Sequence, residues 1–85
     1  MLPAVATTVR RVLRELGNKI SRARILAGLT QESVAATSGI DYKRYQRLEQ
    51  GTVNPTVRTL ARVAAAIGVD LWKMLADSST AARRK

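Results

Sequence analysis

Between Val5 and Ala27 the apolar residues Val5, Val9, Val12, Leu13, Leu16, Ile20, Ala23 and Ala27 recur mostly at intervals of three and four. On a helix turning about 100° per residue they share one stripe roughly 100° wide. The stripe keeps its phase through Gly17, so the pattern predicts one long helix with a weak point there, at a cost of about 1 kcal/mol relative to Ala. Gly28 supplies the stop. Thr30 has the chemistry of an N-cap for a second helix, and Leu29 with Val34 has the spacing of a hydrophobic staple. That helix is short, because Ser38-Gly39 interrupts it within two turns.

Asp41 is placed to cap a third helix reaching about Gln50, with Gly51 ending it. The loop Thr52-Val53-Asn54-Pro55 leads to Thr56, a further N-cap. Val57, Leu60, Val63, Ala64 and Ile67 mark the expected buried face of a fourth helix, which Gly68 ends. Asp70 caps a short fifth helix with Leu71, Met74 and Leu75 expected inward. From Asp77 the residues are small and polar, ending in Arg83-Arg84-Lys85, and a flexible basic tail is expected. The reading is all-α: five helices and no strand.

Two short helices joined by the turn Ser38-Gly39-Ile40 have the form of a helix-turn-helix, whose turn needs a residue tolerant of positive φ. Many helix corners have such a turn, so the third helix must discriminate. Its wheel puts Tyr45 and Leu48 on one side and Lys43, Gln46, Arg47 and Gln50 on the other, with Tyr42 and Arg44 flanking. That outward face carries basic and amide groups and no acid. Arg and Lys donate to guanine O6 and N7, and Gln pairs with adenine N6 and N7. A face serving solubility alone would mix Glu with Lys.

Composition sharpens this. Fifteen Lys and Arg stand against six Asp and Glu, a net charge of +9. An excess of that size suits a polyanionic partner. His and Cys are absent, which removes the common metal ligands, the thiol nucleophile and the commonest general base near neutral pH. With no paired carboxylates either, the chain is not expected to be an enzyme, and no cofactor is implied. No apolar run approaches the ~18 residues of a membrane span, and the mildly apolar residues Met1 to Ala6 carry no basic region before them as an export signal would, so export is not expected. A cytoplasmic, nucleoid-associated protein is expected, and no effector domain fits beside the helices in 85 residues.

Residues from about Leu16 to Leu75 resemble the Cro/C1-type (XRE) helix-turn-helix family, the fold of lambdoid phage repressors. The resemblance is carried by Gly28-Leu29-Thr30-Gln31-Glu32, Val34-Ala35, Gly39-Ile40, Leu48-Glu49-Gln50-Gly51, Asn54-Pro55-Thr56 and Ala66-Ile67-Gly68-Val69-Asp70. It implies a five-helix, lambda-repressor-like DNA-binding domain over residues 16–76, here with an extended N-terminal helix through residues 1–15 and the tail at 77–85. By position it implies base reading by Asp41, Tyr42, Lys43, Gln46 and Arg47. It implies phosphate contacts by Thr30, Gln31, Arg44, Asn54 and Thr56, and a structural ion pair between Arg24 and Glu49. Two departures stand out: Ser38 where the family is usually apolar, and Tyr45 where it is usually aliphatic.

One recognition helix reads only a few base pairs, so a homodimer on a palindromic operator is expected. Trp72, Val5 and Val9 are its candidate interface. The function expected is a sequence-specific transcriptional regulator of repressor type, bound to double-stranded DNA and not to membrane. The alternative is an antitoxin of the same fold that binds a toxin partner and represses its own operon. A nonspecific nucleic-acid binder and a membrane-surface protein, the latter suggested by the basic amphipathic stretch over residues 5–27, are weaker rivals.

Overall fold

The computed structural model describes residues 3–76. Its helices are α1 (Pro3–Leu26), α2 (Gln31–Ser38), α3 (Tyr42–Gln50) and α4 (Val57–Ile67), followed by α5 over residues 71–76. No strand occurs among the described residues. Residues 77–85, expected to form a basic tail, lie outside the described residues.

The boundaries follow from local chemistry. Thr30 Oγ1 accepts from the Ser33 N–H at 3.0 Å, and Thr56 Oγ1 accepts from the Thr59 N–H at 3.0 Å. Asp41 Oδ2 accepts from the N–H groups of Lys43 and Arg44 at 3.1 and 3.3 Å. Asp70 Oδ1 serves α5 through the Lys73 N–H at 3.1 Å. Each cap satisfies donors that the first helical turn leaves without partners. Between α2 and α3 the chain reverses through Gly39 at φ 74°, a left-handed conformation that a Cβ would oppose.

Ile20, Val34, Tyr45 and Val63 are the largest fully buried side chains. Leu16, Leu48, Leu60, Ile67 and Met74 complete the core around them, with Leu29, Ile40 and Leu71 packed at its margin. Helix α1 packs chiefly on α3, and α2 on α4. Burying these aliphatic groups at about 25 cal/mol per Å² is the dominant favourable contribution to the fold.

Gly17 is no weak point of α1. It is where α3 crosses: a Cβ there would fall within 2.7 Å of the Leu48 carbonyl oxygen and overlap that of Glu49. Only a residue without a side chain lets the two helix backbones approach so closely.

Three apolar assignments require correction. Val57 is 74% exposed and does not belong to the buried face of α4. It is the first residue after the Thr56 cap, so its side chain leaves the helix before the core begins. Leu75 is exposed rather than inward. There α5 presents its end to α1, and Lys19 Nζ donates to the Leu75 carbonyl at 2.7 Å. Ala27 lies past the end of α1 in the turn, exposed, because the helix stops at Leu26. Ser38, buried at 7% exposure, satisfies its hydroxyl locally, donating to Val34 O at 2.6 Å, with Ala35 O at 3.2 Å as a longer contact. A polar group can thus sit beneath the turn without an orphaned donor.

Candidate nucleic-acid interface

Helix α3 is nine residues, YKRYQRLEQ, and it divides sharply. Tyr45 is fully buried and Leu48 nearly so, holding its back to the core. Tyr42, Lys43, Arg44, Arg47 and Gln50 are exposed on the other side, and Gln46 is half-buried between them. Asp41 is exposed too, and one oxygen of its carboxylate, Oδ2, serves as the helix cap. The Lys43 ammonium and the Arg47 guanidinium form none of the described hydrogen bonds or ion pairs, so both charges face outward.

Behind this face lies a polar network centred on Glu49. Arg24, on α1, donates through Nε to Glu49 Oε2 at 2.6 Å and through its terminal nitrogen to Oε1 at 3.1 Å. The side chains of Arg24 and Glu49 are only 13% and 7% exposed. Arg24 reaches the Leu29 carbonyl as well, at 2.9 Å. The Tyr45 hydroxyl donates to Glu49 Oε2 at 2.5 Å, and Gln31 Nε2 to Oε1 at 2.9 Å. One carboxylate therefore ties α1, α2 and α3 together. Two-pronged guanidinium contacts of this kind fix orientation as well as distance.

Burial by itself pushes the Glu49 carboxyl up, but the hydrogen bonds from Arg24, Tyr45 and Gln31 together outweigh it and hold the group below its usual range. Burial, reinforced by the hydrogen bond to Glu49, raises the Tyr45 hydroxyl well above its ordinary value. The pair thus stays a carboxylate facing a protonated phenol at neutral pH. Arg24 is held in its charged form chiefly by its hydrogen bond to Glu49.

The residues expected at phosphates occupy the ends of α2, α3 and α4. Thr30 and Thr56 are exposed caps whose hydroxyl oxygens already accept a backbone N–H, and Thr56 also donates to Thr59 Oγ1 at 3.1 Å. Asn54 is exposed in the loop before α4, and Arg44 is exposed on the flank of α3. Gln31 opens α2, and its amide is engaged on both sides: Nε2 with Glu49, Oε1 with Gln46 Nε2 at 3.5 Å. Gln46 Nε2 donates to the Tyr42 hydroxyl as well, at 3.2 Å. This linkage of Gln31, Gln46 and Tyr42 was not anticipated. The four-residue spacing of Tyr42 to Gln46 points to one of its bonds, as that of Tyr45 to Glu49 does to one in the network behind it. The link from Gln31 depends on how α2 and α3 cross, which spacing does not disclose.

Away from α3, Trp72 is 79% exposed on α5, and Val5, Val9 and Val12 are 51%, 42% and 56% exposed on the first half of α1. No group of His, Cys, Asp and Glu among the described residues could hold a metal ion. No described helix is long and apolar enough to cross a membrane.

Comparison with known proteins agrees with this arrangement. A helix-turn-helix family model matches residues 20–71, which include α2, the turn and α3. The chain is 46% identical over 54 residues to the uncharacterized HTH-type transcriptional regulator y4dJ of Sinorhizobium fredii, covering 64% of this chain and 70% of that protein. It is 33% identical over 63 residues to the cryptic phage CTXphi transcriptional repressor RstR of Vibrio cholerae, covering 74% of this chain and 57% of that one. No solved structure matches with comparable significance. With two cap-initiated helices about a left-handed glycine, an acid-free outward face on the second and the family match across both, the chain belongs to the Cro/C1-type helix-turn-helix family of DNA-binding transcriptional regulators.

Proposed function

We propose that the protein is a repressor that binds a palindromic operator as a homodimer, with α3 of each subunit in the major groove. The observation that carries this is the division of α3. Lys43 and Arg47 stand exposed with their side-chain charges in no described ion pair, while Tyr45 and Leu48 lock the opposite side. A helix presented in this way fits the major groove, where donors and acceptors distinguish every base pair. The unit doing this is the domain over residues 16–76, working in the cytoplasm on nucleoid DNA. Asp41, Tyr42, Lys43, Gln46 and Arg47 face the bases. Thr30, Gln31, Arg44, Asn54 and Thr56 face the backbone, helped by the positive ends of α2 and α4. The name of the relative RstR, a transcriptional repressor, supports this reading.

The test separates the two groups. On a duplex the protein prefers, Lys43→Ala and Arg47→Ala each relax base preference at one position per half-site, at about 1–3 kcal/mol. Arg44→Ala instead weakens every duplex alike and lowers the slope of log affinity against log salt by about one. Uniform weakening by Lys43→Ala and Arg47→Ala would move them to the phosphates and leave base reading to Asp41, Tyr42 and Gln46 alone.

The dimer is proposed on Trp72 and on the Val5, Val9 and Val12 stripe. An aromatic side chain left 79% exposed fits an interface anchor. Trp72→Ala is expected to shift sedimentation toward the monomer and to weaken operator binding at low protein concentration, with helix content unchanged. A monomeric wild-type protein that still protects two half-sites about 34 Å apart would contradict it.

A further inference from the structure

Gln31, Tyr42, Gln46 and Glu49 form one run of hydrogen bonds in which each link fixes the next. It begins at Glu49, whose carboxylate only accepts. Gln31 lies beside it with Nε2 2.9 Å from Glu49 Oε1. An amide is nearly symmetric in shape, so its neighbours decide which end points where. Turned round, Gln31 would set its oxygen against the carboxylate in a partly buried setting, where such a clash is costly.

Gln31 Oε1 is thereby aimed at Gln46, whose Nε2 lies 3.5 Å away. The same rule then applies one step out. A flipped Gln46 would bring oxygen against oxygen. In the observed sense Gln46 Nε2 also donates to the Tyr42 hydroxyl at 3.2 Å. An amide nitrogen carries two hydrogens: one is given to the Tyr42 hydroxyl, and Gln31 Oε1 lies toward the other at a longer 3.5 Å. Among the described residues nothing donates to Gln46 Oε1. Tyr42, accepting from Gln46, keeps its own hydrogen to give.

We infer that Glu49, acting through Gln31, sets the hydrogen-bonding sign of the surface that meets the bases: Gln46 reads as an acceptor only, and Tyr42 as a donor. This rests on the proposal that α3 lies in the major groove. The ligand group is an exocyclic amine on a base edge, N6 of adenine or N4 of cytosine. An unconstrained Gln takes adenine through N6 and N7 together. Here the nitrogen that would reach N7 is already engaged. Gln46 and Tyr42 touch the base edges; Gln31 and Glu49 are positioning residues.

The test starts from a duplex selected by the intact protein. Gln46→Ala locates the base pair whose preference relaxes. That pair is then rebuilt twice, once without its exocyclic amine (purine for adenine) and once with N7 replaced by carbon. The expected result is a loss of about tenfold on removing the amine and less than about twofold on removing N7. Equal losses from both, or from neither, would overturn the inference.

Gln31→Ala supplies the second arm. Freed from its partner, the Gln46 amide can turn, so removal of N7 becomes costly and removal of the amine less so. As a backbone contact Gln31 also contributes to affinity for every duplex, so the readout is the ratio of the two losses: a ratio of amine loss to N7 loss unchanged from wild type would also overturn the inference. The two levels fail differently. Finding no preferred sequence at all would sink the reading of α3 as a base-recognition helix. Finding a preferred sequence that Gln46→Ala leaves unchanged would sink the role of Gln46 alone.

Discussion

Glu49→Ala is expected to destabilise the fold by about 3–5 kcal/mol, the usual cost of removing one partner from a buried ion pair. The carboxylate accepts from Arg24 twice and from Tyr45 and Gln31 once each, so its loss strands a guanidinium, a phenol and an amide together. A small domain has only about 5–15 kcal/mol of total stability. The midpoint of thermal unfolding, followed by circular dichroism, should fall by more than about 12 °C. Replacing both charges by apolar residues, Arg24→Met with Glu49→Leu, should recover much of the loss, because no charge is then left stranded. If the single variant melts within a few degrees of wild type, the network is ornamental and α3 is held by apolar packing alone.

The same network gives stability a pH dependence of definite sign. Glu49 is held below its ordinary value of 4.5 in the folded protein. Its contribution is therefore complete above that value and is lost as the pH falls through the lower folded one. Tyr45 works at the other end. Its hydroxyl is raised above the ordinary 10.0, so folding holds a proton that the unfolded chain releases. That contribution is complete below 10.0 and lost as the pH rises beyond it. Glu49→Gln should flatten the acid limb and soften the alkaline fall without removing it, because burial of Tyr45, the largest cause of its raised value, remains.

Gly17→Ala is the second large effect, and its sign is opposite to what helix propensity suggests. In a free helix the change is favourable by about 1 kcal/mol. Here the new methyl group meets the carbonyl oxygens of Leu48 and Glu49, which are backbone and cannot rotate aside. Helices α1 and α3 must separate, opening the contact that seats Tyr45 and the Arg24–Glu49 pair. A loss at the upper end of the 1–3 kcal/mol typical of overpacking is expected, with weaker DNA binding beside it. Gly28→Ala, where a Cβ meets nothing within 4 Å but φ is +73°, separates the effects by paying only for backbone conformation. If Gly17→Ala stabilises the protein, the close approach is not what that glycine provides.

Much of the fold was legible in the sequence because each helix start carries its own chemical mark. Thr30, Asp41, Thr56 and Asp70 were all readable as caps, since one side-chain oxygen and a nearby N–H decide the matter locally. The apolar spacing placed Ile20, Leu48 and Val63 on inward faces for a similar reason. What it mistook was depth. Val57 has the right phase for α4 but stands one turn before the core begins, and periodicity reports direction without distance.

Gly17 shows a different limit. Within α1 it reads as a defect, and only the position of α3 gives it a purpose. The Arg24–Glu49 pair was reached through family resemblance, since nothing in a separation of 25 residues announces it. The tie from Gln31 to Glu49 and Gln46 lay beyond reach for the same reason: three helices must be assembled before those amides meet. The parts of the surface that were readable are those set by a single helix.

Selection of bound duplexes from a random pool, with wild type and a Lys43→Ala/Arg47→Ala variant run side by side, bears most directly on the claim that the exposed side of α3 reads sequence. Wild type should converge on an inverted repeat with half-site centres one helical turn apart. The variant should retain the spacing but lose definition at specific positions in each half. If the wild-type pool stays random, α3 does not read the bases; if both proteins converge on one identical sequence, Lys43 and Arg47 are not the side chains by which it does so.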